Sequence, residues 1–138
     1  MWPFRGPKKA AEPGFRGTPA IRRVKHYAAD TGHSYQYSYR GWQVHGPDTA
    51  EHFFECRRDN GPAMTLRVRL LKPNLEACAA AIGRDLLHSE RYAIVKLAFF
   101  AALDEIVESA ADEPIVPTAA QMVEILQQLG RTGSNPVN

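Results

Sequence analysis

Polar and apolar residues alternate through the first half of the chain and fall three and four apart in the second, with the change at Pro73. Residues 34–39 read Ser-Tyr-Gln-Tyr-Ser-Tyr, a two-residue period that puts Tyr35, Tyr37 and Tyr39 on one side of a strand. Trp42 and Val44 continue the alternation past Arg40 and Gly41, either as one long bent strand or as a tight hairpin. Trp42 shares the tyrosine side only if a bend intervenes. Upstream, Ile21, Val24 and Tyr27 fit a short helix or a plain lead-in to the sheet, closed by a turn at Asp30, Thr31 and Gly32.

Two β-prone runs, 51–58 and 63–71, flank Asp59-Asn60-Gly61-Pro62, a hairpin signal. Met64, Leu66, Val68 and Leu70 mark the core side of the second run. A two-residue Asn60-Gly61 turn would bury Glu55 beside Leu66, and an unpaired buried carboxylate costs several kcal/mol. An odd-length loop with a bulge near Gly61 or Pro62 is therefore expected, turning Phe54 and Cys56 inward.

Beyond Pro73 the helical period sets in. Asn74 is expected to cap a helix over about 75–86, with the stripe Leu75, Cys78, Ala79, Ile82 and Leu86. Ser89 is expected to cap a second, about 90–109, apolar on most sides and thus central. Thr118 and Gln121 form a capping box for a third, about 119–129, ended by Gly130. The fold class expected is α+β: an antiparallel β-meander of three or four strands, about 34–71, packed against two or three C-terminal helices. The division expected is a flexible, basic, Pro/Gly-rich arm over 1–20, one domain over 21–130 and a disordered tail over 131–138.

Net charge is only +2, but it is unevenly placed. Residues 1–72 carry 13 Lys or Arg against 6 Asp or Glu, and residues 73–138 carry 4 against 9. A basic half suggests an acidic partner, and the asymmetry also suits head-to-tail self-association. The plain alternative is that sheets tolerate Arg and helix surfaces favour Glu. Two cysteines, Cys56 and Cys78, are too few for a disulfide framework and read as reduced and buried. No leader-like segment or membrane-length apolar run is present, so a soluble, cytoplasmic protein without a membrane partner is expected.

No phosphate loop, dinucleotide glycine fingerprint, serine elbow or metalloprotease helix occurs, which excludes only the motif-bearing enzyme classes. No catalytic residue or cofactor is assigned. His52 and Cys56, four apart on a strand, would stand about 13 Å apart, too far to share a metal ion, and no metal site is expected. Asp104 and Glu108 read as a solvated helix edge. Lys96 stands out for its apolar neighbours: either its stem runs past Phe99 and Phe100, or its ammonium pairs with Glu90, Tyr92 or a sheet residue.

Two candidate surfaces remain. Tyr35, Tyr37 and Tyr39 either stack bases or pack under the helices. The other sheet face, with Arg57, Arg67 and Arg69, joins Arg22, Arg23 and Lys25 to offer phosphate contacts, or merely protects the sheet from aggregation. The leading expectation is a non-enzymatic domain that binds nucleic acid or an acidic protein. The alternatives are a homodimerising assembly module, and a small enzyme or small-molecule binder with a pocket between the tyrosine row and the long helix.

Overall fold

The computed structural model describes residues 15–21, 23–105 and 113–132, with the backbone alone for Arg131 and Thr132. Four strands, β1 (Lys25–Ala28), β2 (Ser34–Val44), β3 (Thr49–Arg58) and β4 (Ala63–Leu71), pair antiparallel in the order of the chain. Among the described residues three helices follow: α1 (Lys72–Ile82), α2 (His88–Leu103) and α3 (Ala119–Thr132). This is the expected α+β meander. The region before Ser34 resolves as a strand and not a helix, closed by the turn in which the Gly32 N–H donates to the Ala29 carbonyl at 3.0 Å.

The β3–β4 loop takes the odd register. Phe54 stands opposite Leu66, and Cys56 opposite Met64. Asp59 and Asn60 hold positive φ of 52° and 64°, and the Gly61 N–H donates to the Arg58 carbonyl at 2.8 Å. The turn thus closes one residue earlier than an Asn60-Gly61 turn. Since Arg57 faces Ala63, Pro62 is the extra residue that restores the inward set.

β2 is one strand, not a hairpin. Its register against β3 shifts between Tyr39 and Gly41. The extra residue, Arg40, turns Trp42 back to the side of Tyr39, opposite His52. Gly41 has φ of 117°, and a Cβ there would stand 2.6 Å from the Arg16 carbonyl oxygen. Only glycine lets the chain at 15–18 lie along this stretch, where Arg16 and Trp42 exchange backbone hydrogen bonds of 2.7 and 2.8 Å. On this approach Phe15 covers Phe53 at 4.8 Å on the outer face of the sheet. Residues 15–18 of the expected arm therefore rest on the sheet, and residues 1–14 lie outside the described residues. At the opposite edge, Ile115 bridges β4 through hydrogen bonds of 2.8 Å to the Arg67 carbonyl and from the Arg69 N–H.

The core lies between the inner sheet face and the helices. Phe54, Leu66 and Val68 meet Ile94, Val95, Phe99 and Leu103 of α2, all fully buried, and Met122 of α3 closes the layer. Burying side chains of this size contributes roughly 2 kcal/mol each.

The helix ends depart from expectation in five places. α1 stops at Ile82 and not near residue 86, because Gly83 takes a left-handed φ of 80° and its N–H donates to the Ala79 carbonyl at 2.9 Å. Leu71, extended, precedes α1, and Pro73 sits in its first turn, where its missing N–H costs nothing. Asn74 is thus inside α1, and its side-chain amide donates to the Pro117 carbonyl at 3.2 Å. Leu87 precedes α2, its N–H held at 2.8 Å by the Glu90 carboxylate, so Ser89 is helical and not a cap. α2 ends at Leu103; the Asp104 carboxylate accepts from the Tyr27 hydroxyl and the Asp30 N–H. Ile106 and Val107 lie outside the described residues. α3 runs through Gly130, whose helical penalty of about 1 kcal/mol is too small to stop it. The Thr118–Gln121 capping box forms as expected, with bonds of 2.8 and 3.1 Å.

Candidate binding pocket

The bulge in β2 has a consequence at the far end of the sheet. It sets Tyr39 and Trp42 side by side on the inner face, with His52 of β3 across from Trp42. α2 begins just above them, at His88. Between these elements lies a cavity of about 480 Å³, closed on one side by Gly17 and Pro19. That volume lies within the range of small-molecule sites. Its walls are apolar and aromatic: Trp42, Tyr39, Tyr92, Leu70 and Leu75. Exposed His88, Ser89 and Arg91 form its mouth.

His52 is the buried polar group of the cavity, with 8% of its surface exposed. Its Nδ1 lies 2.9 Å from the Tyr39 hydroxyl. Burial, and next the neighbouring His88, push its pKa down to about 4, so the ring is neutral at pH 7. A phenol is a stronger donor than a neutral imidazole N–H, and an imidazole nitrogen is the better acceptor. The Tyr39 O–H therefore donates to Nδ1, and the ring proton resides on Nε2. Burial, and next Tyr92, raise the Tyr39 phenol well above its ordinary value, so it keeps its proton. Nε2 has no partner among the described residues. The Trp42 ring stands 6.1 Å from the His52 ring and packs closely under Gly17, with the Arg16 guanidinium 5.1 Å from its centroid.

The structure separates the residues singled out from the sequence. Tyr35 and Tyr37 are 1% and 6% exposed and belong to the core, which leaves their faces covered; Tyr39 alone of the row lines the cavity. Arg67 and Arg69 lie on the outer sheet face around Glu51, a carboxylate 5% exposed. Arg69 Nε binds it at 2.7 Å, with Arg67 at 3.7 Å and His45 at 3.8 Å. Arg57 is exposed and donates to the Gly61 carbonyl at 3.1 Å. Arg23 and Lys25 are exposed at the start of β1, and Arg22 lies outside the described residues. Lys96 rests its ammonium 5.8 Å from the Phe100 centroid; burial, and next Lys25, lower its pKa.

Sequence reasoning passed over Trp42, His52, His88, Arg91 and Tyr92 as a site. The signal for His52 was present. The odd register that turns Phe54 inward turns His52 inward as well, two residues earlier on the same strand.

A larger cavity, about 760 Å³, lies between α2, α3 and Ile115, with Glu105 and Glu113 on its wall. The chain between those two residues, 106–112, is outside the described residues. Among the described residues no group of three or more His, Cys, Asp or Glu is placed to hold a metal ion, and no helix is long and apolar enough to cross a membrane. Fold and pocket together define a meander-and-helix α+β domain with an aromatic cavity at the sheet–helix junction. No family model, curated protein or solved structure matches the chain.

Proposed function

We propose that the chain is a small-molecule-binding domain whose site is the cavity between β2, β3 and the first turn of α2. One observation carries this reading: a buried, neutral His52, held by Tyr39, lines an apolar cavity of about 480 Å³ and has a ring nitrogen without a partner among the described residues. A buried polar group left without a partner costs about 1–3 kcal/mol, and a ligand acceptor would recover that cost. The readings based on a basic sheet face draw less support, because Arg67 and Arg69 are committed to Glu51 on the same face.

The test uses N-phenyl-1-naphthylamine, a neutral apolar dye that brightens when desolvated. It is expected to bind the native chain saturably. Ala50→Leu, which extends a side chain into the cavity, is expected to weaken that binding at least about tenfold. Absence of saturable binding, or binding unaltered by Ala50→Leu, overturns the proposal.

A further inference from the structure

Among the described residues, the charge and the unpartnered donors of this cavity favour one kind of ligand. His52 offers a buried N–H at Nε2. Trp42 Nε1, which can only donate, has no acceptor among the described residues. Arg91 adds a guanidinium at the mouth, also without a side-chain partner among the described residues. His88 and Ser89 begin α2 there, at the end of the helix that carries partial positive charge. Among the described residues that line the cavity none is acidic. Glu90, the acidic residue of the first turn, turns aside to Arg84, with bonds of 2.8 and 2.9 Å. Glu51, next to His52 in sequence, lies on the opposite face of the sheet, bound to Arg69.

A cavity with unpartnered donors and a guanidinium at its mouth, and with no acidic side chain among the described lining residues, discriminates in favour of oxyanions. Its walls add a second preference. The rings of Tyr39 and Tyr92 meet edge to face at 5.3 Å, and Trp42 and His52 present ring faces 29° apart. Flat walls of this kind suit a flat guest.

From this arrangement we infer that the cavity takes a planar aromatic carboxylate, its ring between Trp42 and Tyr92 and its carboxylate toward His52 Nε2 and Arg91. The inference rests on the cavity being the binding site. It adds the ligand's charge and shape.

The experiment compares two probes of one shape, 2-naphthoate and 2-naphthamide, each competing against N-phenyl-1-naphthylamine on the full chain. The carboxylate is expected to compete at least about tenfold better than the amide, as a hydrogen bond to a charged group gains over a neutral one. Arg91→Gln should remove most of that preference, weakening 2-naphthoate far more than 2-naphthamide, and Arg91→Lys should retain part of it. Arg91 is exposed, so neither change threatens the fold. Equal competition by the two probes, or a preference untouched by Arg91→Gln, overturns the ligand class while the pocket stands. If neither probe competes and the dye itself does not bind, the pocket reading falls with it.

Discussion

The rings of Phe54 and Phe99 lie stacked, 4.0 Å apart between centroids with 4° between their planes, one from β3 and one from α2. Both are fully buried, so this contact joins sheet to helix at the middle of the core. Phe99→Ala is expected to destabilise the domain by about 3–5 kcal/mol, the usual result of deleting a buried ring. Urea unfolding followed by far-UV circular dichroism measures it. A loss under about 1 kcal/mol would show that α2 does not carry the core.

His52 makes stability depend on pH. Its pKa is about 4 when folded, against an ordinary value near 6.5. Between these values the unfolded chain binds more protons, so stability falls as pH drops from about 6.5 to 4. The whole span amounts to roughly 3 kcal/mol. The titratable and charged groups that line the cavity with His52 are Tyr39 from β2 and His88, Arg91 and Tyr92 from α2. His52→Gln is expected to flatten the melting temperature against pH between 6.5 and 4. An unchanged slope would place His52 in water.

Glu51 is a buried carboxylate on the outer face, bound by Arg69 and approached by Arg67 and His45. Glu51→Gln leaves two half-buried guanidinium groups facing each other without the anion. A loss of about 3 kcal/mol in denaturant unfolding is expected, toward the lower end for a broken buried pair because the arginines remain partly hydrated. A neutral result would mean that the cluster is solvated.

Gly41 allows the chain at 15–18 to reach β2. Gly41→Ala puts a methyl against the Arg16 carbonyl oxygen and Thr18 Oγ1, and imposes a φ of 117° on an L-residue. The expected cost is about 2 kcal/mol or more. Because Gly17 packs on the Trp42 indole, the change should also shift tryptophan emission to the red. Emission and stability like those of the parent chain would remove this approach from the account.

Burial raises the Cys56 thiol to about 12 and raises Cys78 as well. Both cysteines are free and buried. Neither is expected to react with an aromatic disulfide reagent at pH 8 until the domain unfolds, so thiol release should track denaturation. A fast reaction in native buffer would contradict the packing.

The sheet was legible because its two faces differ so sharply. The alternation from Met64 to Leu70, together with the cost of burying Glu55, was enough to select the register of β3. The helix starts were less legible. Asn74 and Ser89 have the side chains of caps, but Pro73 and Glu90 occupy the first turns and move the starts upstream to Lys72 and His88. The pocket was least legible, since it needs three things at once: a bulge at Arg40, a glycine at 41 that admits a distant segment, and a helix beginning over Trp42. Each is a tertiary event that no single periodicity records. The tyrosine row drew attention as a repeat, yet the bulge, by bringing Trp42 level with Tyr39, made only its last member part of the cavity.

The most direct test is nuclear magnetic resonance of the chain titrated with 2-naphthoate, watching the Trp42 indole proton and the His52 ring. Both signals are expected to shift together and saturate, with His52 neutral in the free protein at pH 7. Shifts confined to other residues, or a His52 ring already protonated at pH 7 without ligand, would contradict the proposed site.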